Sequence, residues 1–157
     1  MKSLRIGVLG DSHGSHENID EAMRHLKDVD YILHTGDHHT DIDYIIKSYG
    51  KKVLGVRGNC DWSGATEVVK SFAGIRILLY HGHQYNVKYS LNNIYYKGQE
   101  ESADIVIFGH THIPLYIVEN NMIIFNPGSV SIPRGSSVKS CGLLELGETV
   151  EIKLIAL

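Results

Sequence analysis

Cysteine is scarce in this 157-residue chain: Cys60 and Cys141 stand far apart and outside any Cys-x-x-Cys pair. Neither a disulfide framework nor a thiolate zinc site is therefore indicated. Long apolar runs are missing too. No segment approaches the ~20 residues needed to span a bilayer, and Met1 to Leu9 has too little apolar length for a signal sequence, so a cytoplasmic location without membrane attachment is expected. Nor is there a polybasic tract. Fifteen Lys and Arg against 18 Asp and Glu leave a formal charge of -3. That removes the electrostatic case for general nucleic-acid binding and leaves small phosphorylated ligands open. Repeats, low-complexity tracts and linkers are likewise lacking. Residues 1–157 are expected to form one domain, with 43% apolar residues enough for a layered core.

What the chain has in excess is histidine, ten in all, and five of them (His13, His34, His81, His110, His112) fall at or near the ends of strand-like runs. Leu4 to Leu9 reads as a first strand running into Gly10-Asp11-Ser12-His13-Gly14, whose glycines free the backbone to turn Asp11 and His13 inward. Ile19, Ala22, Met23 and Leu26 follow at helical spacing. Tyr31 to Thr35 is a second strand ending in Gly36-Asp37. Thr40 with Asp43 makes a capping-box-like start for a helix carrying Ile42, Ile45, Ile46 and Tyr49, closed by Gly50. Val53 to Val56 is a third strand ending in Gly58-Asn59-Cys60-Asp61. Parallel strands joined by right-handed crossovers bring these ends to one edge.

The second half has a different texture. Glu67 to Phe72 and Ile75 to Tyr80 form a hairpin that leads into His81-Gly82-His83, and a helix is expected over Ser90 to Glu101. Ile105 to Phe108 is a buried strand with Gly109-His110-Thr111-His112 at its exit. Two imidazoles that close in extended backbone point to opposite sides. They share one metal only if the chain turns, or serve two adjacent metals if it does not. Hairpins at Leu115 to Phe125, turning at Asn120-Asn121, and at Val138 to Ile155 complete the chain. The pattern predicts an α/β fold of two mixed sheets packed face to face with helices outside. The hairpin edges are open to pairing between copies, so a homo-oligomer is among the expectations.

Collected, the strand ends supply Asp11, His13, Asp37, Asn59, His81, His110 and His112. These hard oxygen and imidazole donors suit divalent Mn, Fe, Zn, Co or Ni, and seven are too many for one ion with an open position. Two ions are implied.

Asp11-Ser12-His13, Gly36-Asp37, Gly58-Asn59-Cys60-Asp61, His81 and Gly109-His110-Thr111-His112 resemble, in order and over roughly residues 5 to 135, the motifs of the calcineurin-like metallophosphoesterases. The chain looks most like their small single-domain prokaryotic phosphodiesterases, whose fold the eukaryotic retromer scaffold subunit shares. That resemblance implies a four-layer αββα fold and two divalent ions, Mn foremost, with Ni, Fe, Zn, Co or Mg as alternatives. It implies one ion on Asp11, His13 and His112, the other on Asn59, His81 and His110, and Asp37 bridging. Asp37, Asn59 and His110 would be catalytic, and a small phosphodiester would be hydrolysed by attack of metal-bound hydroxide. The alternative it carries is a non-catalytic protein-binding scaffold of the same fold. Cys60 departs from the family, many members having histidine there, and Asp41 stands one place later than the family's second aspartate.

Other residues carry lesser expectations. His34 is expected to orient a ligand and Asn126-Pro127-Gly128-Ser129 to pack behind the site, while Asp41 is assigned no role in it, helix capping nearby explaining the local sequence. His38 and His39 are candidates for substrate contact through their position beside Asp37. Arg57 and Arg134 either pair with phosphate or cover a sheet edge. His16, His25 and His83 are expected to face solvent, and Tyr89, Tyr95 and Tyr96 to pack. Substrate specificity would reside in the loops at 61–66 and 84–90.

Overall fold

A computed structural model describes residues 3–38 and 40–157. Its first half is β1 (Leu4–Leu9), α1 (His16–His25), β2 (Tyr31–His34), α2 (Asp41–Tyr49) and β3 (Lys52–Gly55). Its second half is β4 (Glu67–Phe72), β5 (Ile75–Tyr80), a single 3₁₀ turn at His83–Tyr85, α3 (Asn92–Glu100), β6 (Ile105–Ile107), β7 (Leu115–Glu119) and β8 (Met122–Asn126). The hairpin β9 (Ser140–Leu146) and β10 (Val150–Ala156) closes the chain and returns to the first sheet.

Two five-stranded mixed sheets result, ordered β10-β9-β1-β2-β3 and β4-β5-β6-β8-β7. In the first, β1, β2 and β3 are parallel, with Leu9 opposite His34 and His34 opposite Gly55, so three strands end level with one another. In the second, β5, β6 and β8 are parallel, with Leu79 opposite Ile107 and Ile107 opposite Phe125.

Alternating side chains explain the layering, because successive strand residues face opposite sides of a sheet. Ile6, Val8, Ile77, Leu79, Ile105, Ile107 and Leu144 meet between the sheets. Leu9, Ile32 and Leu143 face outward onto Ile19, Ala22, Met23 and Ile45 of α1 and α2. Leu78, Tyr80, Val106 and Phe108 face the other way, onto Ile94 of α3. The expected αββα order is therefore present. Each fully buried Leu or Ile contributes roughly 1.5–3 kcal/mol relative to exposure. Both tight hairpins in the second sheet turn on residue pairs in the left-handed region, Ala73 and Gly74 (φ 50° and 80°) and Asn120 and Asn121 (φ 47° and 64°). That is the backbone a right-twisted two-residue hairpin demands.

Some local expectations fail for identifiable reasons. Thr40 is itself helical (φ -64°, ψ -16°) and makes no side-chain cap to α2. Its backbone lacks the extended geometry a capping hydroxyl requires, and its Oγ1 instead pairs with His38 Nδ1 at 3.0 Å. Helix α3 starts later than Ser90, whose hydroxyl accepts the Asn92 N–H at 3.1 Å. Tyr95 packs beside the α3 core, but Tyr96 is 67% exposed, because α3 presents Ile94 and Gly98, four apart, to the sheet, and Tyr89, in the loop before α3, is 91% exposed. Among the described residues, no helix is long and apolar enough to cross a membrane.

Candidate metal centre

The strand ends that coincide in this architecture carry the histidines and carboxylates. The loop after β1 lies against the loop after β2, the Asp11 N–H donating to the Gly36 carbonyl (2.9 Å) and the His13 N–H to the Asp37 carbonyl (3.2 Å). In the other sheet the Gly109 N–H donates to the His81 carbonyl at 2.9 Å, joining the exits of β5 and β6. Glycine supplies space here more than freedom. A Cβ on Gly58 would sit 2.0 Å from Asp37 Oδ1, and one on Gly10 1.6 Å from Thr35 Oγ1. The left-handed backbone falls on the functional residues themselves: Asp11 (φ 49°), His13 (48°), Asp37 (53°), His110 (69°) and His112 (60°). Each such conformation costs roughly 1–3 kcal/mol and persists only where its surroundings enforce it.

Two overlapping donor groups form. Ligand atoms of Asp11, His13, Asp37 and His112 lie within 4.8 Å of one another, as do those of Asp37, His81 and His110. Asp37 belongs to both. In the first group His13 Nε2 faces His112 Nε2 at 3.3 Å, and His112 Nε2 lies 3.5 Å from Asp11 Oδ1. In the second, His81 Nε2 stands 3.3 Å from Asp37 Oδ2, 3.2 Å from His110 Nδ1 and 3.1 Å from Asn59 Oδ1. All seven predicted residues thus meet at one edge. The turn in the chain at His110 and His112 does not bring them to one group; each goes to a different one.

The hydrogen bonds around these rings decide which nitrogen is available. The Thr35 carbonyl lies 2.8 Å from His81 Nδ1 and the Ile132 carbonyl 2.6 Å from His112 Nδ1. A carbonyl only accepts, so each Nδ1 carries a proton and each Nε2 is the nitrogen turned into the cluster. Asp11 Oδ1 is fully buried with no hydrogen-bond partner, while Oδ2 accepts the His110 N–H at 3.2 Å. A buried carboxylate oxygen with no donor, set among imidazole lone pairs, is costly unless a cation completes it. The donor set therefore fits divalent metal.

Protonation tells the same story. Burial raises the Asp11 carboxyl to about 7 despite the neighbouring His81 charge. Burial also pushes Asp37 up, but the His81 hydrogen bond and charge outweigh it and hold Asp37 well below the usual carboxylate range. His81 is correspondingly raised: burial lowers it, and Asp37 and Asp11 more than offset that. Burial, with the His81 charge, drops His110 to about 4, and burial lowers His13 and His112. His81 Nε2 and Asp37 Oδ2 face each other at 3.3 Å, a pairing that a bound cation would replace.

Comparison with known proteins decides the family. The model of the calcineurin-like phosphoesterase superfamily domain matches residues 4–149. The chain belongs to that superfamily. It is 33% identical over 147 residues to the probable metallophosphoesterase YsnB of Bacillus subtilis, covering 91% of this chain and 85% of that one. The phosphodiesterase YfcE of Escherichia coli K12 is 34% identical over 105 residues, 60% of this chain and 53% of that one. Among solved structures, a predicted phosphoesterase from Streptococcus pneumoniae superposes with a TM-score of 0.85 at 27% identity, over 99% of this chain and 91% of that one. Vps29 from Entamoeba histolytica shares the fold, with a TM-score of 0.80 at 21% identity over 98% of this chain and 99% of the other.

Around the donor cluster of this superfamily member lies a supporting layer that sequence patterns only partly announce. Asp41 does not cap α2. It is buried, accepts the Ser12 hydroxyl (2.6 Å) and the Gly14 N–H (2.9 Å), and lies 3.2 Å from His38 Nδ1, tying the Asp11–His13 loop to the start of α2. Its one visible signal was its offset from the family pattern. His34 is buried with Nε2 at 3.0 Å from the Ser12 hydroxyl, while its Nδ1 accepts the Gly36 N–H at 3.1 Å. The loop after β8 lies behind the site: Asn126 Nδ2 donates to the Gly109 carbonyl, and the Ser129 and Ser131 hydroxyls both donate to the Asp11 carbonyl. Ser131 and the Ile132 carbonyl carry no pattern of their own.

The remaining candidates separate. His38 borders a hollow of about 190 Å³ with Cys60, Asp61 and Trp62. His39 lies outside the described residues. The Cys60 N–H donates to Asp37 Oδ1 at 3.0 Å, and its thiol, pushed up by burial and the nearby Asp37 charge, stays neutral and cannot carry the positive charge of an imidazolium. His16 and His25 are exposed, His16 stacking on Tyr44 at 3.8 Å. His83 is only half-exposed: the chain turns at Gly82 (φ 112°), and the His83 ring comes to 5.4 Å from that of His81. Arg57 and Arg134 are exposed.

Proposed function

We propose that this chain is a metal-dependent phosphodiesterase acting on a small phosphoester, with Mn the foremost of its candidate ions. The observation that carries the reading is the pair of donor groups sharing Asp37, one of them holding a buried carboxylate oxygen that no hydrogen bond satisfies. Asp11, His13 and His112 would hold one divalent ion, Asn59, His81 and His110 a second, and Asp37 both. Bound there, two such ions would supply Lewis acidity to the phosphoryl group and lower the pKa of a water nucleophile.

The protein's own residues prepare that chemistry. The Thr35 and Ile132 carbonyls fix the tautomers of His81 and His112, so no ring has to reorganise when a ligand arrives. Asp11, Asp37, His81 and His112 form the buried floor. His13, Asn59 and His110 form the open side from which an ester approaches. Asn59 turns its oxygen toward His81, which leaves its amide N–H groups for a phosphoryl oxygen. Its neutrality, and that of His13, His110 and His112, keeps the site from repelling an anion. The relative named a phosphodiesterase supports a diester over a monoester.

The test is hydrolysis of bis(p-nitrophenyl) phosphate by purified protein with added Mn. Activity should vanish with chelator and in Asp37→Ala and His110→Ala. Either variant as active as wild type removes the assignment. The competing reading, a binding scaffold of the same fold, would leave all seven donors without a task; turnover absent under every divalent ion would favour it.

A further inference from the structure

Two fixed cations stand on the His110-Thr111-His112 side of the cluster and belong to no part of the donor set. Lys88 and Arg134, with Thr111 and Ile113, line one hollow of about 280 Å³. Thr111 stands between His110 and His112 in the chain, so this hollow borders the loop that carries both.

Both cations are carried by segments anchored to ligands. The Arg134 N–H donates to the His112 carbonyl at 3.1 Å, two residues beyond the Ile132 carbonyl that holds the His112 ring. Lys88 follows Val87, which is 5% exposed and packs where a Cβ on Gly82 would collide with it at 2.8 Å. That fixes Lys88 to the His81-Gly82-His83 exit. Both side chains are exposed, and among the described residues neither has a carboxylate within ion-pair distance. In a chain of net charge -3, two unpaired cations converging beside a site for anions are poorly explained as a solvated surface.

The other hollow at the rim differs in sign. It is lined by His38, Thr40, Cys60, Asp61, Trp62 and Ser63, with a carboxylate and no Lys or Arg. A substrate with unequal arms would therefore be oriented.

Resting on the phosphodiesterase reading, we infer that Lys88 and Arg134 form a second anion subsite over Thr111. The preferred substrate would then be a diester whose arm on that side bears a further phosphate, such as a phosphorylated nucleotide ester. Arg offers a planar fork to two phosphate oxygens and Lys a point charge, the complementary pair that phosphate recognition uses.

The experiment compares the p-nitrophenyl ester of thymidine 5′-phosphate with the same ester carrying a 3′-phosphate, on wild type and on the Lys88→Gln, Arg134→Gln double variant. Wild type should show a KM at least about tenfold lower for the 3′-phosphorylated ester, and the variant should lose that preference. No preference in wild type, a preference surviving in the variant, or an equal fall for both esters overturns the subsite. Hydrolysis of neither ester strikes the phosphodiesterase reading alone. Titration calorimetry of the protein as purified then decides the subsite. Tighter binding of thymidine 3′,5′-bisphosphate than of thymidine 5′-phosphate, lost in the variant, supports it; equal binding overturns it.

Discussion

The two sheets make unequal contributions to the centre. The sheet built on β1, β2 and β3 supplies every oxygen donor, Asp11, Asp37 and Asn59, together with His13. The sheet built on β5 and β6 supplies only imidazoles, His81, His110 and His112. Each donor group draws on both: Asp11, His13 and Asp37 need His112, while His81 and His110 need Asp37. The centre is thus an interface between sheets. What aligns its two halves is the apolar layer between them, where Ile6 and Val8 meet Ile77, Leu79 and Ile107. Folding and metal uptake are coupled through that layer, because neither sheet presents a complete group alone.

The most damaging way to break this arrangement is to remove the residue common to both groups. Asp37→Ala should lower diester turnover by roughly a thousandfold or more, measured as kcat/KM under saturating Mn, since both ions lose a ligand together. A subtler break leaves every donor in place. Gly58→Ala puts a Cβ 2.0 Å from Asp37 Oδ1, so the carboxylate must move. Its activity should fall toward that of Asp37→Ala, while chemical denaturation shows a stability loss of only about 1–3 kcal/mol, the ordinary cost of overpacking.

Loosening only the oxygen-rich half sharpens the comparison further. Asp41→Asn weakens the acceptor that holds Ser12 and the Gly14 N–H. Metal affinity should drop by roughly 10 to 100-fold, the usual cost of losing an outer partner, with the loss confined to one of two calorimetric binding phases. Acid should act on the same half. Asp11 is held at about 7, so below that pH its proton must leave before an ion can bind. Affinity should decline by about tenfold per pH unit below 7 from this group alone, with more protons released on uptake at pH 6 than at pH 8.5. The smallest effect belongs to the open flank away from the centre. Val118 is 57% exposed on β7, and Val118→Thr should change stability by no more than about 0.5 kcal/mol and turnover not at all.

Why the donors were legible and their supports were not has a physical answer. Asp11, Asp37, His81 and His110 each follow a short apolar run, and parallel strands ending level bring such residues together whatever the loops do between them. The layers were legible for a similar reason, since Ile6 and Val8 or Leu78 and Tyr80 alternate at the strand period. Asn120 and Asn121 announced their hairpin because asparagine tolerates left-handed backbone. The supporting contacts run largely through main-chain atoms. The Thr35 and Ile132 carbonyls that fix two imidazoles have no side-chain signature. Nor does the left-handed backbone of His13, His110 and His112: histidine takes it more often than most residues, yet too rarely to mark any one position. Asp41 was visible yet given no role, because helix capping around Thr40 already accounts for acidic residues at a helix start. His83 was assigned to solvent for want of any pattern marking the turn at Gly82.

The central claim is that Asp37 unites two cation sites. Metal-free protein titrated with Mn, with bound metal counted by elemental analysis after gel filtration, tests it most directly. The account predicts two ions per wild-type chain and at most one, weakly held, in Asp37→Ala. Wild-type protein that retains no ion, or an Asp37→Ala variant that keeps two with unchanged affinity, would contradict it.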